Sequence, residues 1–272
     1  MHWPEPEPSA SGRRTSERLE VSPQAEGEDL LPPEQTEPVV LVVRSAGYAE
    51  LVLNRPARRN ALTIPLVGQL RAGLAELAAD PALNVVVVRG EGGCFCSGLD
   101  LDQLVGPANA PAREVFSAEW LALHSELAAS RLLTIAALEG AAIAGGSALA
   151  LACDFLVAGS GARLQVSEVI RGMTAPINLA WLLAKHGAAR AIEMVLGAAA
   201  HDGSDLYRLG LANAVVDDGD VLSEARSLAV RLSGHSPAAV SATKAMIAGC
   251  WPLGGFGALV NQLKTASAGG AD

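Results

Sequence analysis

The chain has 272 residues, half of them hydrophobic, which is enough apolar material for a large buried core. Its formal net charge is −9, but residues 1–38 carry nine acids against three arginines, so the remainder holds only −3. That near balance excludes a nucleic-acid footprint, and no apolar run reaches the about 20 residues of a membrane-spanning helix. Residues 1–38 also hold seven of the fifteen prolines and few large apolar side chains. They cannot bury enough surface to offset ordering entropy, which predicts a disordered, acidic, proline-rich tail. A secretory leader would need a basic start and an apolar core, and neither is present there.

Val39–Val43 and Ala49–Leu53 read as two strands about a turn at Gly47. Thr63–Ala79 has helical spacing, with Leu66, Leu70, Leu74 and Leu77 on one face and Pro65 in its first turn. Val85–Val88 is a uniformly apolar strand of the kind covered on both faces. Residues 111–130 suit a helix, Leu133–Leu138 a strand, and a helix follows Gly145-Gly146. Phe155–Ala158 is a further strand, and 177–197, 221–233 and Pro237–Gly249 read as helices. Strands alternating with helices predict an α/β fold, and no strong internal repeat is visible. Cys94, Cys96, Cys153 and Cys250 show no metal-ligand spacing and read as free thiols of a cytoplasmic protein.

Two stretches carry the chemistry: Cys94-Phe95-Cys96-Ser97-Gly98-Leu99-Asp100-Leu101, and Ala144-Gly145-Gly146-Ser147. Each is a glycine-containing turn after a β-rich run that leads toward a helical pattern. Such turns leave backbone N–H groups unpaired, and a helix N-terminus adds positive potential. Two donors converging on one point make an oxyanion hole. Either turn alone is equally what a packing turn looks like.

The order of the remaining motifs decides between these readings. Leu53-Asn54-Arg55-Pro56, Asn60-Ala61-Leu62, Val85–Gly90, the first turn, Gly145-Gly146 and Cys153-Asp154 follow one another along the chain. This ordered set resembles the crotonase superfamily, the enoyl-CoA hydratase/isomerase family, over roughly residues 39–250. The resemblance implies the crotonase fold: a spiral of ββα units over 39–220, and C-terminal helices over 221–272 used for trimer contacts. It implies an acyl-CoA thioester substrate of fatty acid metabolism, with CoA as part of the substrate and no separate cofactor or metal. It also implies a homotrimer or dimer of trimers, with no nucleic-acid or membrane partner. The thioester oxygen would sit between the N–H groups of Leu99 and Gly145.

In the resembling family two glutamates flank the substrate. The first position falls here on Ala148, which supplies no proton-transfer group. The second matches Glu168, with Gly172-Met173-Thr174-Ala175-Pro176 following it. That pattern is similar to the enoyl-CoA isomerases, which keep only the second glutamate. Hydration of a conjugated thioester is served well by two carboxyl groups, whereas one carboxylate can move a proton from carbon 2 to carbon 4. Glu168 is therefore expected to shift a 3-enoyl-CoA double bond to 2-enoyl-CoA. Its neighbours Val166, Val169 and Ile170 are expected to form an apolar pocket that raises its pKa. The bland alternative for Glu168 is a loop acid neutralised by Arg163 or Arg171.

The resemblance further points to Arg58, Ser97, Asp100, Leu101 and Lys244 around CoA, with Arg58 and Lys244 near its phosphates. Asp154 is expected to cap backbone groups, Cys96 to be a small packed residue, and His124 to be structural or on the surface. Two further readings remain open: an enoyl-CoA hydratase, and a non-catalytic acyl-CoA binder that kept the oxyanion turns.

Overall fold

The computed structural model describes residues 38–104, 106–251 and 254–268. The expected tail, 1–38, lies outside the described residues except for Pro38. The first strands are β1 (Val40–Arg44) and β2 (Ala49–Leu53), followed by helix α1 (Ile64–Ala79). Thr63 starts α1 by accepting a hydrogen bond from the Leu66 N–H, and Pro65 occupies its first turn. The leucines spaced along α1, from Leu66 to Leu77, are all buried, as their spacing predicts.

Next come β3 (Val85–Gly90), the single turn α2 (Leu101–Leu104), α3 (Ala110–Ala129) and β4 (Leu133–Leu138). Then follow β5 (Ala141–Ile143), α4 (Gly145–Ala152), β6 (Phe155–Gly159), β7 (Arg163–Gln165) and α5 (Pro176–Ala191). The last elements are α6 (Gly203–Arg208), β8 (Ala214–Val216), α7 (Val221–Ser233), α8 (Pro237–Gly249) and α9 (Phe256–Ala268).

Six strands form one sheet in the order β1-β2-β3-β4-β6-β8, and β5 pairs with β7 beside it. Only β1–β2 is antiparallel; the other neighbours are parallel. The all-apolar β3 is covered on both faces, as its composition predicts. Val85 and Val87 pack with Ile135, Val157 and the α7 residues Ala225 and Leu228. Val86 and Val88 belong to the larger core that α1, α3, α4 and α5 build on the other face.

α7 thus opens the region 221–272, expected to be C-terminal helices used for trimer contacts, and within the chain it covers one face of the central sheet. The boundary at 221 is not a break in packing. The helix expected over 177–197 is also interrupted: Gly187 takes φ 78° and ψ 174°, and a π-helical turn spans Ile192–Leu196. The short β5, β7 and β8, and the helices α6 and α9, have no counterpart among the expected elements. Three-residue strands give too few alternations to be recognised as strands.

Candidate functional site

The first glycine turn is held against β5. The Phe95 N–H donates to Glu139 O, Cys96 N–H to Ala141 O, and Ile143 N–H to Cys96 O. On the other side Leu62 N–H donates to Gly98 O, and Asp100 N–H to Leu62 O. Gly98 bridges these contacts at φ +94°, in the left-handed region. Among the described residues no acceptor takes the Leu99 N–H.

The second turn enters α4. Ala144 adopts φ 50° and ψ −112°, an uncommon conformation for a residue with a side chain. Gly145 follows as the first residue of α4, where an N–H has no acceptor within the helix. Leu62 and Leu99 side-chain atoms lie where a Gly145 Cβ would stand, and Trp120 is just beyond them. The two turns are therefore neighbours, and Leu99 and Gly145 line one cavity of about 730 Å3. At Gly146 a Cβ would collide with the Cys96 backbone, so this glycine permits the close approach.

Glu168 and Ala148 line the same cavity. Glu168 is half-buried, at the start of a 3-10 turn over Val169–Arg171. One oxygen, Oε1, accepts a hydrogen bond from Asn178 Nδ2 at 3.1 Å; Oε2 is buried with no partner among the described residues. Burial pushes its pKa above the ordinary value for a glutamate, against the hydrogen bonds and the Arg171 charge that oppose it. Among the described residues Glu168 forms no ion pair with Arg163 or Arg171, although the Arg171 charge acts on it. The source of its burial differs from expectation. Val166 is buried, but Val169 and Ile170 are exposed; Ala148, Ala175 and Ile177 line the same cavity as Glu168.

Ser97, Arg58, Asp100 and Leu101 also line the cavity. Asp100 is buried and accepts from Arg55 Nη2 at 2.9 Å and Arg58 Nη2 at 3.3 Å; Arg58 also pairs with the exposed Asp102. Burial opposes the Asp100 charge, but the two guanidinium groups hold its carboxyl below the ordinary aspartate range. Its side chain is thus occupied as an anchor for Arg55 and Arg58, while its N–H donates to Leu62 O and its carbonyl accepts from Gln103 and Leu104. Leu101 is half exposed on the rim.

Within the single chain Lys244 lies away from the cavity lining. Its Nζ donates to Leu132 O and to Asp154 Oδ2, both at 2.6 Å. Asp154 Oδ2 in turn accepts from Thr134 N and Oγ1, so it organises local backbone as expected. The lysine that does line the cavity is Lys264, on α9, together with Arg113 on α3.

Cys96 is fully buried and burial pushes its thiol up to about 12, in keeping with a packed residue. His124 is also fully buried, and burial pushes it down to about 3. Trp181 Nε1–H donates to its Nδ1 at 2.8 Å, which places the neutral ring's proton on Nε2. The Trp120 ring stands edge-on at 4.3 Å. His124 is a core residue of an aromatic cluster.

Sequence reasoning missed Asn178, Ser147 and Trp120. A signal for Asn178 exists: it is a lone polar residue in Ile177-Asn178-Leu179-Ala180-Trp181 at the start of α5.

A family model described as Enoyl-CoA hydratase/isomerase matches residues 44–250. The mitochondrial enoyl-CoA hydratase domain-containing protein 2 of Bos taurus is 36% identical over 207 residues, 74% of this chain and 70% of that protein. Among solved structures, Pseudomonas aeruginosa AtuE is 30% identical with a TM-score of 0.74, covering 86% of this chain and 92% of that one. An enoyl-CoA hydratase of Mycobacterium smegmatis is 26% identical with the same TM-score, covering 87% of this chain and 92% of that one.

Proposed function

Because the chain belongs to the enoyl-CoA hydratase/isomerase family and has its α/β crotonase fold, we propose that it shifts the double bond of a 3-enoyl-CoA to carbon 2. The observation that carries this reading is the carboxylate inventory of the cavity. Asp100 is tied to Arg55 and Arg58, Asp102 is an exposed partner of Arg58, Ala148 presents a methyl group, and among the described cavity residues Glu168 is the acid whose partnerless carboxylate oxygen is buried.

The mechanism follows from these positions. The thioester carbonyl oxygen lies between the Leu99 and Gly145 N–H groups. Glu168 takes a proton from carbon 2, and the electron pair moves onto the carbonyl oxygen to give a dienolate. The two N–H groups stabilise that charge as it develops, an effect worth about 2.7–4 kcal/mol per donor in comparable sites. Glu168 then returns the proton to carbon 4, and the double bond re-forms between carbons 2 and 3. A raised pKa suits a group that must accept and release a proton in one turnover. CoA is part of the substrate, and no step calls for a separate cofactor. Arg58, Ser97 and Leu101 support binding of the CoA portion at the rim.

The hydratase reading is favoured by the printed names of relatives, the bovine and mycobacterial proteins among them. It would require Glu168 alone to manage both the water and the proton. Product analysis separates the two: a 3-enoyl-CoA supplied alone should yield 2-enoyl-CoA, and no conversion would overturn the isomerase reading.

Among the described residues no helix is long and apolar enough to cross a membrane. The four free thiols support a reducing compartment such as the cytoplasm, while the bovine relative carries a mitochondrial name. Exposed Met246 and Ile247 on α8 support assembly as a homotrimer or dimer of trimers, which light scattering would report.

A further inference from the structure

We propose that Asn178 is a positioning residue whose amide ties Glu168 to the Ala144–Gly145 peptide, fixing Oε1 as an acceptor and leaving Oε2 as the oxygen that exchanges protons. The proposal rests on the reading of Glu168 as the proton carrier. It begins from a buried amide with defined partners. Asn178 is 2% exposed. Its Nδ2 lies 3.1 Å from Glu168 Oε1 and 3.3 Å from Ala144 O; its Oδ1 lies 3.1 Å from Ser147 Oγ.

The proton inventory orients this amide. Ser147 Oγ is within reach of both Asn178 Oδ1 and Ala144 O, at 2.6 Å from the latter, but it has one proton. Ala144 O already accepts from the Ala148 N–H at 3.1 Å. Whichever oxygen takes the Ser147 proton, the two Nδ2 protons serve Ala144 O and Glu168 Oε1. An ionised carboxylate only accepts, so a flipped amide would set two oxygens against each other.

The consequence is an asymmetry between the two carboxylate oxygens. A proton arriving on Oε2 leaves Oε1 able to accept, so the Asn178 bond survives the proton transfer. A proton arriving on Oε1 would face an N–H, and the whole chain would have to reverse. Oε2 is also the oxygen left without a partner. The other end of the chain matters equally. Ala144 O belongs to the same peptide unit as the Gly145 N–H, and in a trans peptide these groups point in opposite directions. Donors on Ala144 O therefore orient and polarise the Gly145 N–H toward the thioester. One amide thus serves both the base and the oxyanion donor.

Arg171 is the other charge acting on Glu168, and it lies on the same 3-10 turn. Arg58, Arg59, Arg113, Lys264, Asp100 and Asp102 face the cavity from other elements, and the substitutions below leave them in place.

The test follows Glu168 by carboxyl infrared titration, taken as the difference from Glu168→Gln, in the full-length parent, Asn178→Ala and Asn178→Asp. Steady-state kinetics on a 3-enoyl-CoA and binding of a saturated acyl-CoA are measured alongside. Loss of the donor should raise the Glu168 titration midpoint in Asn178→Ala by about one pH unit. The near-isosteric Asn178→Asp should raise it further, because a second carboxylate then faces Oε1. We expect kcat to fall about 10- to 100-fold in Asn178→Ala, with KM and acyl-CoA affinity within a few-fold. A merely space-filling role predicts that Asn178→Asp behaves like the parent; that result, or an unmoved midpoint in folded Asn178→Ala, overturns the proposal. If Asn178→Ala does not fold, Ser147→Ala must show a smaller shift in the same direction, and no shift counts against it. A parent without 3-enoyl-CoA turnover overturns the isomerase reading, while the infrared midpoints still decide the Asn178–Glu168 link.

Discussion

At the scale of single residues, Glu168 concentrates the conflict between folding and chemistry. A carboxyl whose pKa is raised by burial is less ionised when folded than when unfolded at the same pH. Above its folded pKa the ionised side chain costs stability, and that cost disappears as the pH falls below the ordinary carboxylate range. Catalysis needs the ionised form in the free enzyme, so kcat/KM for isomerisation should fall with decreasing pH at a higher pH than an ordinary glutamate would dictate. A pH–rate profile flat down to the usual glutamate range would contradict this. Glu168→Gln should lower isomerisation by about 100- to 10,000-fold while acyl-CoA affinity stays within a few-fold. Normal turnover in that variant would remove Glu168 from the reaction.

Glu168 was legible in the sequence because family spacing marks its position. Asn178 stood out only as a lone polar residue at the start of α5, and its role depends on contacts to residues 10 and 31 positions away that this local pattern does not encode. Lys244 has intrachain partners that the sequence does not announce. Its position along the chain matched a family lysine, but in the folded monomer Asp154 and a backbone carbonyl claim its ammonium.

At the scale of elements, α4 is the part on which the site depends. Its first residue carries the Gly145 N–H, and its buried carbonyl end is closed by Lys185 from α5. The Lys185 ammonium has three protons and donates to Leu151 O, Ala152 O and Cys153 O at 2.7–3.1 Å. Burial pulls its pKa down to about 8. Its folded value is below its unfolded one, so its ionisation costs stability at neutral pH, a cost that lessens as the pH rises from about 8 toward the ordinary lysine range. The carbonyls still require a donor. Lys185→Met should therefore destabilise the protein by at least about 1–3 kcal/mol, as read by denaturant unfolding, and a neutral result would show that water serves those carbonyls. At the other end, Gly146→Ala would force the Cys96 backbone away from α4. It should cost both stability and turnover, whereas a fully active, equally stable variant would show that the turns adjust freely.

Long periodic elements could be read from sequence because burial on one face repeats. α1 begins one residue after the predicted start, with Thr63 as its cap, and β4, α7 and α8 match their predicted spans. β5, β7 and β8 could not, because three residues each are defined by the partner they pair with. The Gly140–Cys153 run shows the difficulty: its small apolar residues hide a strand, a strained Ala144 and a helix within one composition.

At the scale of the whole molecule, the fold is shared with relatives named hydratases, while the cavity lacks one of the carboxylates that a two-carboxyl hydration would use. The family resemblance assigns that place to Ala148, which is buried and lines the cavity. Ala148→Glu should gain a modest, measurable hydration of 2-enoyl-CoA over the parent, because a new group without a supporting shell is poorly placed. No gain at matched folded fraction would show that more than this carboxylate separates the two activities.

On the proposed reading, one carboxylate, Glu168, and two backbone N–H groups suffice to move a double bond in an acyl-CoA. The most direct measurement gives the unaltered protein a 3-enoyl-CoA and a 2-enoyl-CoA in parallel and quantifies isomerised and hydrated products separately. The account predicts that 3-enoyl-CoA is converted to 2-enoyl-CoA much faster than 2-enoyl-CoA is hydrated. Hydration as the faster reaction, or tight binding of both thioesters with turnover of neither, would contradict it.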